Sequence, residues 1–216
     1  MKRYLLLLSM LLGCAQVMAE AQNTNFDNNP PPPPLEIMPA YGFTDTLPSR
    51  ANLCRSIIPA AQRNTGCGAV QWEPQSIEGP QGFPGQGPAD GQIASGGNPR
   101  FPEMNQQTAT RWVRTPVRAG NATFRWTLTQ THLTRAWQVF ITHQNWNPNA
   151  PLTRASFDLV PFCQQVFVPP LPRPTSPFDM NCVIPPRTGY QVLLAVWTIG
   201  DTPNAFYQVL DVNFGS

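Results

Sequence analysis

Few residues in this chain can carry chemistry. It holds two histidines, His132 in Thr131-His132-Leu133-Thr134 and His143 in Thr142-His143-Gln144-Asn145. An imidazole can ligate a metal or move a proton near neutral pH, but neither residue sits in a ligand motif. Read alone, His132 is a surface or strand-end residue and His143 a solvated loop residue. Cys54, Cys67, Cys163 and Cys182 form an even set once Cys14 is set aside, which suits disulfides in an oxidising compartment. Their spacings are wide and no C-x-x-C is present, unlike the usual zinc arrangements. Four cysteines allow three pairings. The near-neighbour pairing, Cys54–Cys67 with Cys163–Cys182, clips two Pro- or Arg-rich loops and is the expected one.

The elements that must position these groups are β-strands and turns. With 26 Pro and 15 Gly among 216 residues, a helical bundle or coiled coil is excluded, because Pro breaks helix interiors and Gly weakens them. Charged residues are 12% and hydrophobic ones 41%, which fits a β protein with a neutral polar surface and many turns. Phe124, Trp126 and Leu128 alternate with Arg125 and Thr127, the period of a half-buried strand. Trp137 to Thr142, Ala155 to Val160, Gln191 to Thr198 and Ala205 to Asn213 are further β-rich runs, bounded by Pro, Gly, Asn or Asp. The near-continuous apolar run Gln191 to Trp197 predicts a central strand of two packed antiparallel sheets. Residues 41–110 are irregular, punctuated by Gly79-Pro80, Gly82, Pro84-Gly85, Gly87-Pro88 and Gly96-Gly97. Within them Trp72, Phe83, Ile93 and Phe101 predict packing rather than disorder.

The N-terminus reads as an export signal at 1–19. Met1-Lys2-Arg3-Tyr4 is basic, and Leu5 to Leu12 is apolar but too short to span a bilayer. Two processing sites compete. Val17-Met18-Ala19 suits ordinary signal peptidase, whereas Leu11-Leu12-Gly13-Cys14 resembles the bacterial lipobox that would place a lipid on Cys14. Residues 20–40 are an Asn/Pro-rich linker whose Pro30 to Pro34 run favours stiff polyproline II. The net charge of +2 comes from Lys2 and Arg3; beyond them 12 Arg face 12 acids. No basic stripe marks a nucleic-acid or anionic-membrane binder, so membrane contact would come only through a lipid on Cys14. The Asn121-Ala122-Thr123 sequon is a tripeptide common by chance and carries no weight in a bacterial-type exported chain.

From Cys67 the chain resembles a known family. The block Cys67-Gly68-Ala69-Val70-Gln71-Trp72-Glu73-Pro74-Gln75-Ser76-Ile77-Glu78-Gly79 is similar to the bacterial lytic polysaccharide monooxygenases of auxiliary activity family 10, also called chitin-binding type-4 domains. Gly87-Pro88-Ala89-Asp90-Gly91, Gln107 to Trp112, Asn145 to Asn149, Pro151 to Leu159, Pro161-Phe162-Cys163, Leu194 to Trp197 and Asp201 to Phe214 follow in order. The likeness runs from about Tyr41 to Phe214 and implies one domain over 41–216. That domain would be an all-β, immunoglobulin/fibronectin-III-like sandwich, with a large irregular loop region after the first strand. The cysteine positions also match that family's two disulfides. Family members oxidise chitin or cellulose with one copper ion, held by two imidazoles and the free α-amine of an N-terminal histidine. The resemblance places His132 at the second brace histidine, Phe206 at the axial aromatic and Glu78 at the second-sphere carboxylate. It also places Trp72 at a sugar-stacking aromatic, with Glu73, Pro74 and Gln75 adding polar contacts to sugar hydroxyls.

One position departs. The family's mature chain begins His-Gly-Tyr or similar and leads to Ser-Arg-Ala; here Tyr41-Gly42-Phe43-Thr44 leads to Ser49-Arg50-Ala51. A phenol with a pKa of about 10 is a poor Cu(II) ligand, and an internal peptide nitrogen has no free lone pair. The expected function is therefore an exported, chitin-like polysaccharide-binding module without a cofactor, His132 being a remnant of the metal site. The alternative is a copper-dependent monooxygenase with an unusual site. If the lipobox is used, Cys14→Ser releases the protein from the membrane fraction; soluble wild-type protein beginning at Glu20 would rule the lipid out.

Overall fold

The computed structural model describes residues 42–215. The expected leader with Cys14, the linker 20–40 and Tyr41 lie outside the described residues. Nine strands are described: β1 (Gly42–Thr44), β2 (Glu78–Pro80), β3 (Thr115–Val117), β4 (Gly120–Leu128), β5 (Thr134–Ile141), β6 (Cys163–Val166), β7 (Phe178–Ile184), β8 (Gly189–Ile199) and β9 (Asn204–Phe214). They form two sheets. One has the order β1-β4-β7; the other runs β2-β9-β8-β5-β6, with β3 added parallel to β9. All other pairings are antiparallel. Among the described residues the only helices are short 3-10 turns. The expected sandwich, with an irregular region after its first strand, is what the chain forms.

Why β8 reads as an unbroken apolar run is now plain. Successive side chains on a strand point to opposite faces, and both faces of β8 are covered. Leu193, Ala195, Trp197 and Ile199 pack between the sheets with Phe124, Trp126, Trp137 and Met180. Val192, Leu194 and Val196 face the other way, onto Val70, Ile77, Phe83, Ile93, Phe101, Met104 and Trp112 of the loop region. The irregular segment is thus a third layer, packed on the outer face of the larger sheet. It has few ladder hydrogen bonds of its own, so apolar burial of this kind must hold it.

Two polar devices fasten that layer. The first is Arg50, 1% exposed, whose Nε and Nη2 donate to the two carboxylate oxygens of Asp211 on β9 at 2.8 and 2.7 Å. Its remaining donors reach the Met104 carbonyl at 2.7 Å and Gln107 Oε1 at 2.8 Å. Tyr190 donates its hydroxyl to Asp211 Oδ1 at 2.6 Å, and Gln107 Nε2 donates to Tyr190 at 3.1 Å. Burial, reinforced by the Asp211 charge, pushes the Tyr190 phenol well above its ordinary value. Two guanidiniums lie over the Trp112 ring, Arg50 at 4.5 Å and Arg111 at 3.8 Å from its centroid. A buried charge is tolerated only when its lone pairs and protons are met, and here they are. The second device is Arg154, which donates to the carbonyls of Pro84, Gln86 and Pro88 and to Asp90, gathering one glycine-rich loop.

Both expected disulfides are present. Cys54–Cys67 closes a loop within the third layer, with Cα atoms 6.1 Å apart. Cys163–Cys182, with Cα atoms 5.5 Å apart, joins β6 to β7, the edges of the two sheets. Two expectations are corrected. Ala155 to Val160 is not a strand: Arg154–Ser156 is a 3-10 turn capped by Thr153, and only Phe157 bridges to Thr142. Gly79-Pro80 is not a turn but part of β2. An added Cβ on Gly79 would lie 1.7 Å from the Gly96 carbonyl oxygen, so glycine is there for close approach.

Removing one partner of the Arg50–Asp211 pair strands a buried charge. Arg50→Ala should lower the unfolding free energy by about 3–5 kcal/mol, measured by urea denaturation. A loss below about 1 kcal/mol would show that the third layer does not depend on it.

Candidate functional site

The site forms where four elements end together. Thr134 at the start of β5 pairs with Ile199 at the end of β8, and Thr198 pairs with Ala205 at the start of β9. This antiparallel register brings the loop before β5, which carries His132, beside the β8–β9 turn, which carries Asp201. His132 Nδ1 lies 3.0 Å from Asp201 Oδ1, while the other Asp201 oxygen accepts the Leu133 amide at 3.2 Å. Burial works against ionisation of Asp201, but the Leu133 amide and the His132 imidazole outweigh it and hold the carboxyl below its usual range. Arg173 adds a guanidinium 3.5 Å from Asp201 Oδ2 and donates to the Thr131 carbonyl.

Aromatic rings set the imidazole's tilt. Its centroid is 5.8 Å from Trp197 and 6.0 Å from Phe206, which are themselves 5.1 Å apart. The Trp197 indole is fixed by donating to Thr134 Oγ1 at 2.9 Å. Phe206 is fully buried. On the neighbouring strand Glu78 stands opposite Phe206 in register, and its Oε1 accepts Asn204 Nδ2 at 2.8 Å. His132, Phe206 and Glu78, brought together only by the resemblance at the sequence level, are therefore neighbours in space.

The second group lies on the third layer. Trp72 is 40% exposed, whereas the other five tryptophans are at most 8% exposed. Expected polar contacts from its neighbours need correction. Glu73 is 6% exposed and Gln75 8%; Pro74, in the 3-10 turn Pro74–Ser76, is buried too. Gln208 on β9 donates to the Pro74 carbonyl at 2.9 Å. The Glu73 carboxylate is taken by Arg100, whose side chain is 62% exposed.

Sequence reasoning missed Asp201, Arg173, Asn204 and Arg100 as site residues. The first had a usable signal. Two long apolar strands flanking a short Asp-containing turn form a hairpin, and pairing β8 with β5 then places that turn beside His132. The Arg100–Glu73 contact had none.

Copper tests the donor set directly. A three-nitrogen brace requires imidazoles at one place, and His143 is at the opposite end of β5 from His132. Eight residues of extended strand separate them, roughly 26 Å. His143 is instead 2.6 Å from Asp158, whose other oxygen is held by Arg187. Among the described residues no three His, Cys, Asp or Glu side chains cluster as a metal site. One imidazole, one buried phenyl ring and one carboxylate do not supply a nitrogen-rich Cu(II) site.

Fold and site together define an immunoglobulin-like sandwich of the auxiliary-activity type. The solved AA10 lytic polysaccharide monooxygenase of Photorhabdus luminescens superposes with a TM-score of 0.76 at 43% identity, over 81% of this chain and 99% of that one. The Bacillus amyloliquefaciens CBM33 in complex with Cu(I) gives 0.69 at 35% identity, over 81% and 99%. The family described as lytic polysaccharide mono-oxygenase, cellulose-degrading, matches residues 41–212, and the chain belongs to it. A GlcNAc-binding protein A of Aliivibrio fischeri is 57% identical over 170 residues, 77% of this chain. The chain spans about a third of that relative's length, 34%.

Gly79 is the tightest backbone contact near the site. Gly79→Ala should cost about 1–3 kcal/mol by overpacking and loosen Glu78 from Asn204 and Phe206. A thermal melt checks the first, and an unchanged melting temperature would contradict it.

Proposed function

We propose that this chain is an exported module that binds chitin or a related β-linked glycan through the face carrying Trp72, without oxidising it. The observation that carries this reading is Trp72 itself. A large apolar ring left at the surface, when every other indole is buried, is the arrangement that stacks on the apolar face of a sugar. The 57% identity to a relative named for GlcNAc binding supports the substrate class. No helix among the described residues is long and apolar enough to cross a membrane. Export rests on the N-terminal signal, and lipid anchoring on the Cys14 lipobox; the domain itself is assigned to 41–216.

The absence of oxidation follows from Tyr41 at the brace position. His132 contributes one nitrogen, Phe206 none, and the nitrogen of an internal Tyr41 is an amide. A second reading, a copper monooxygenase with an unusual site, is favoured by the juxtaposition of His132, Phe206 and Glu78. It needs two further nitrogens that these residues do not offer.

Adsorption to insoluble chitin tests the binding. Trp72→Ala should lose about 1–2 kcal/mol of affinity, and an unchanged isotherm would place binding elsewhere. With reductant and oxygen the wild-type protein should release no oxidised oligosaccharides. Tyr41→His alone should stay silent; combining it with removal of residues 1–40 exposes the amine and should restore copper binding. Oxidised sugars from the unmodified protein would favour the second reading.

A further inference from the structure

We propose that Arg100 is a specificity-determining residue of the same face, donating hydrogen bonds to the acetamido carbonyl of N-acetylated sugars seated on Trp72. This rests on the glycan-binding reading above. The Arg100–Glu73 pair is strongly asymmetric: the arginine side chain is 62% exposed and the glutamate side chain 8%. The carboxylate comes from the residue next to Trp72 in sequence, so Arg100 is tied to the backbone segment that carries the exposed indole. Its stem is steadied a second way, with the guanidinium carbon 5.4 Å from the Phe101 ring centroid, and the Arg100 amide donates to Asn98 Oδ1 at 3.0 Å. Phe101 is fully buried, so this support is rigid.

A guanidinium carries five N–H donors in a fixed fork. Among the described residues its side chain donates to Glu73 Oε1 through Nη2, and with the side chain 62% exposed further donors remain for a ligand. Glu73 cancels the charge while leaving those donors available, which favours a neutral acceptor over an anionic one. Among neutral sugars the strong acceptor is an amide carbonyl; hydroxyls are weaker and must also place their own proton. Glucose units offer hydroxyls only, and deacetylated glucosamine replaces the acceptor carbonyl with an ammonium, which donates and cannot accept. N-acetylglucosamine is the unit that fits.

The test compares adsorption of the mature chain to crystalline chitin, microcrystalline cellulose and chitosan. Because Arg100→Ala alone would strand the Glu73 carboxylate, the informative variant is Arg100→Ala with Glu73→Gln, its folding checked by thermal melt. Chitin affinity should fall about tenfold, the scale of one charge-assisted hydrogen bond, with cellulose and chitosan adsorption unchanged. Arg100→Lys, which keeps a cation on Glu73 but loses the planar fork, should weaken chitin binding in the same direction. Equal losses on all three surfaces, or no loss on chitin, would overturn the assignment. Trp72→Ala separates it from the reading beneath: a chitin loss for the Arg100 variants with none for Trp72→Ala supports Arg100 and rejects stacking. Wild-type protein that adsorbs to none of the three overturns both.

Discussion

The buried Arg50–Asp211 pair is the constraint on which the rest of the molecule depends. Residues 45–114 contain little regular structure beyond β2 and isolated 3-10 turns, so they cannot stabilise themselves through a hydrogen-bond ladder. They need a sheet to pack against and a fixed register on it. Arg50 supplies both at once, because one guanidinium spans Asp211 on β9, the Met104 carbonyl and Gln107. Apolar burial holds the layer down, and the ion pair decides where it sits. That division follows from the physics: apolar burial is non-directional, whereas a bidentate guanidinium–carboxylate contact is geometrically demanding.

The functional face inherits its shape from this arrangement. β9 carries Asp211 near one end and Asn204 and Phe206 at the other, so the strand that anchors the third layer also builds the His132 corner. β2, the strand on which the third layer joins the sheet, brings Glu78 to Phe206. Trp72, Glu73 and Arg100 sit on the same layer, reached through Pro74 and its hydrogen bond from Gln208.

Much of the fold could be read in the residues themselves. The alternation of Phe124, Trp126 and Leu128 marks β4, and the unbroken apolar run of β8 marks a strand covered on both faces. Ala155 to Val160 misled because only Phe157 is buried, held beside a capped 3-10 turn, while Leu159 and Val160 are exposed. β7 went unmarked although Phe178, Met180 and Cys182 alternate with Asp179 and Asn181; only the exposed Val183 breaks the pattern. The site was harder. His132, Phe206 and Glu78 could be grouped only by family likeness, because long-range register brings them together. The resemblance places Glu73 and Gln75 at the sugar-binding face, yet both are buried, Glu73 against Arg100.

The central proposal is a glycan-binding face beside a corner where, among the described residues, His132 supplies the one imidazole. Its most direct test is the Cu(II) electron paramagnetic resonance spectrum of the mature wild-type protein with one equivalent of copper. The account predicts a weak, heterogeneous signal that a mild chelator removes. A single well-resolved spectrum with hyperfine coupling to three nitrogens would contradict it.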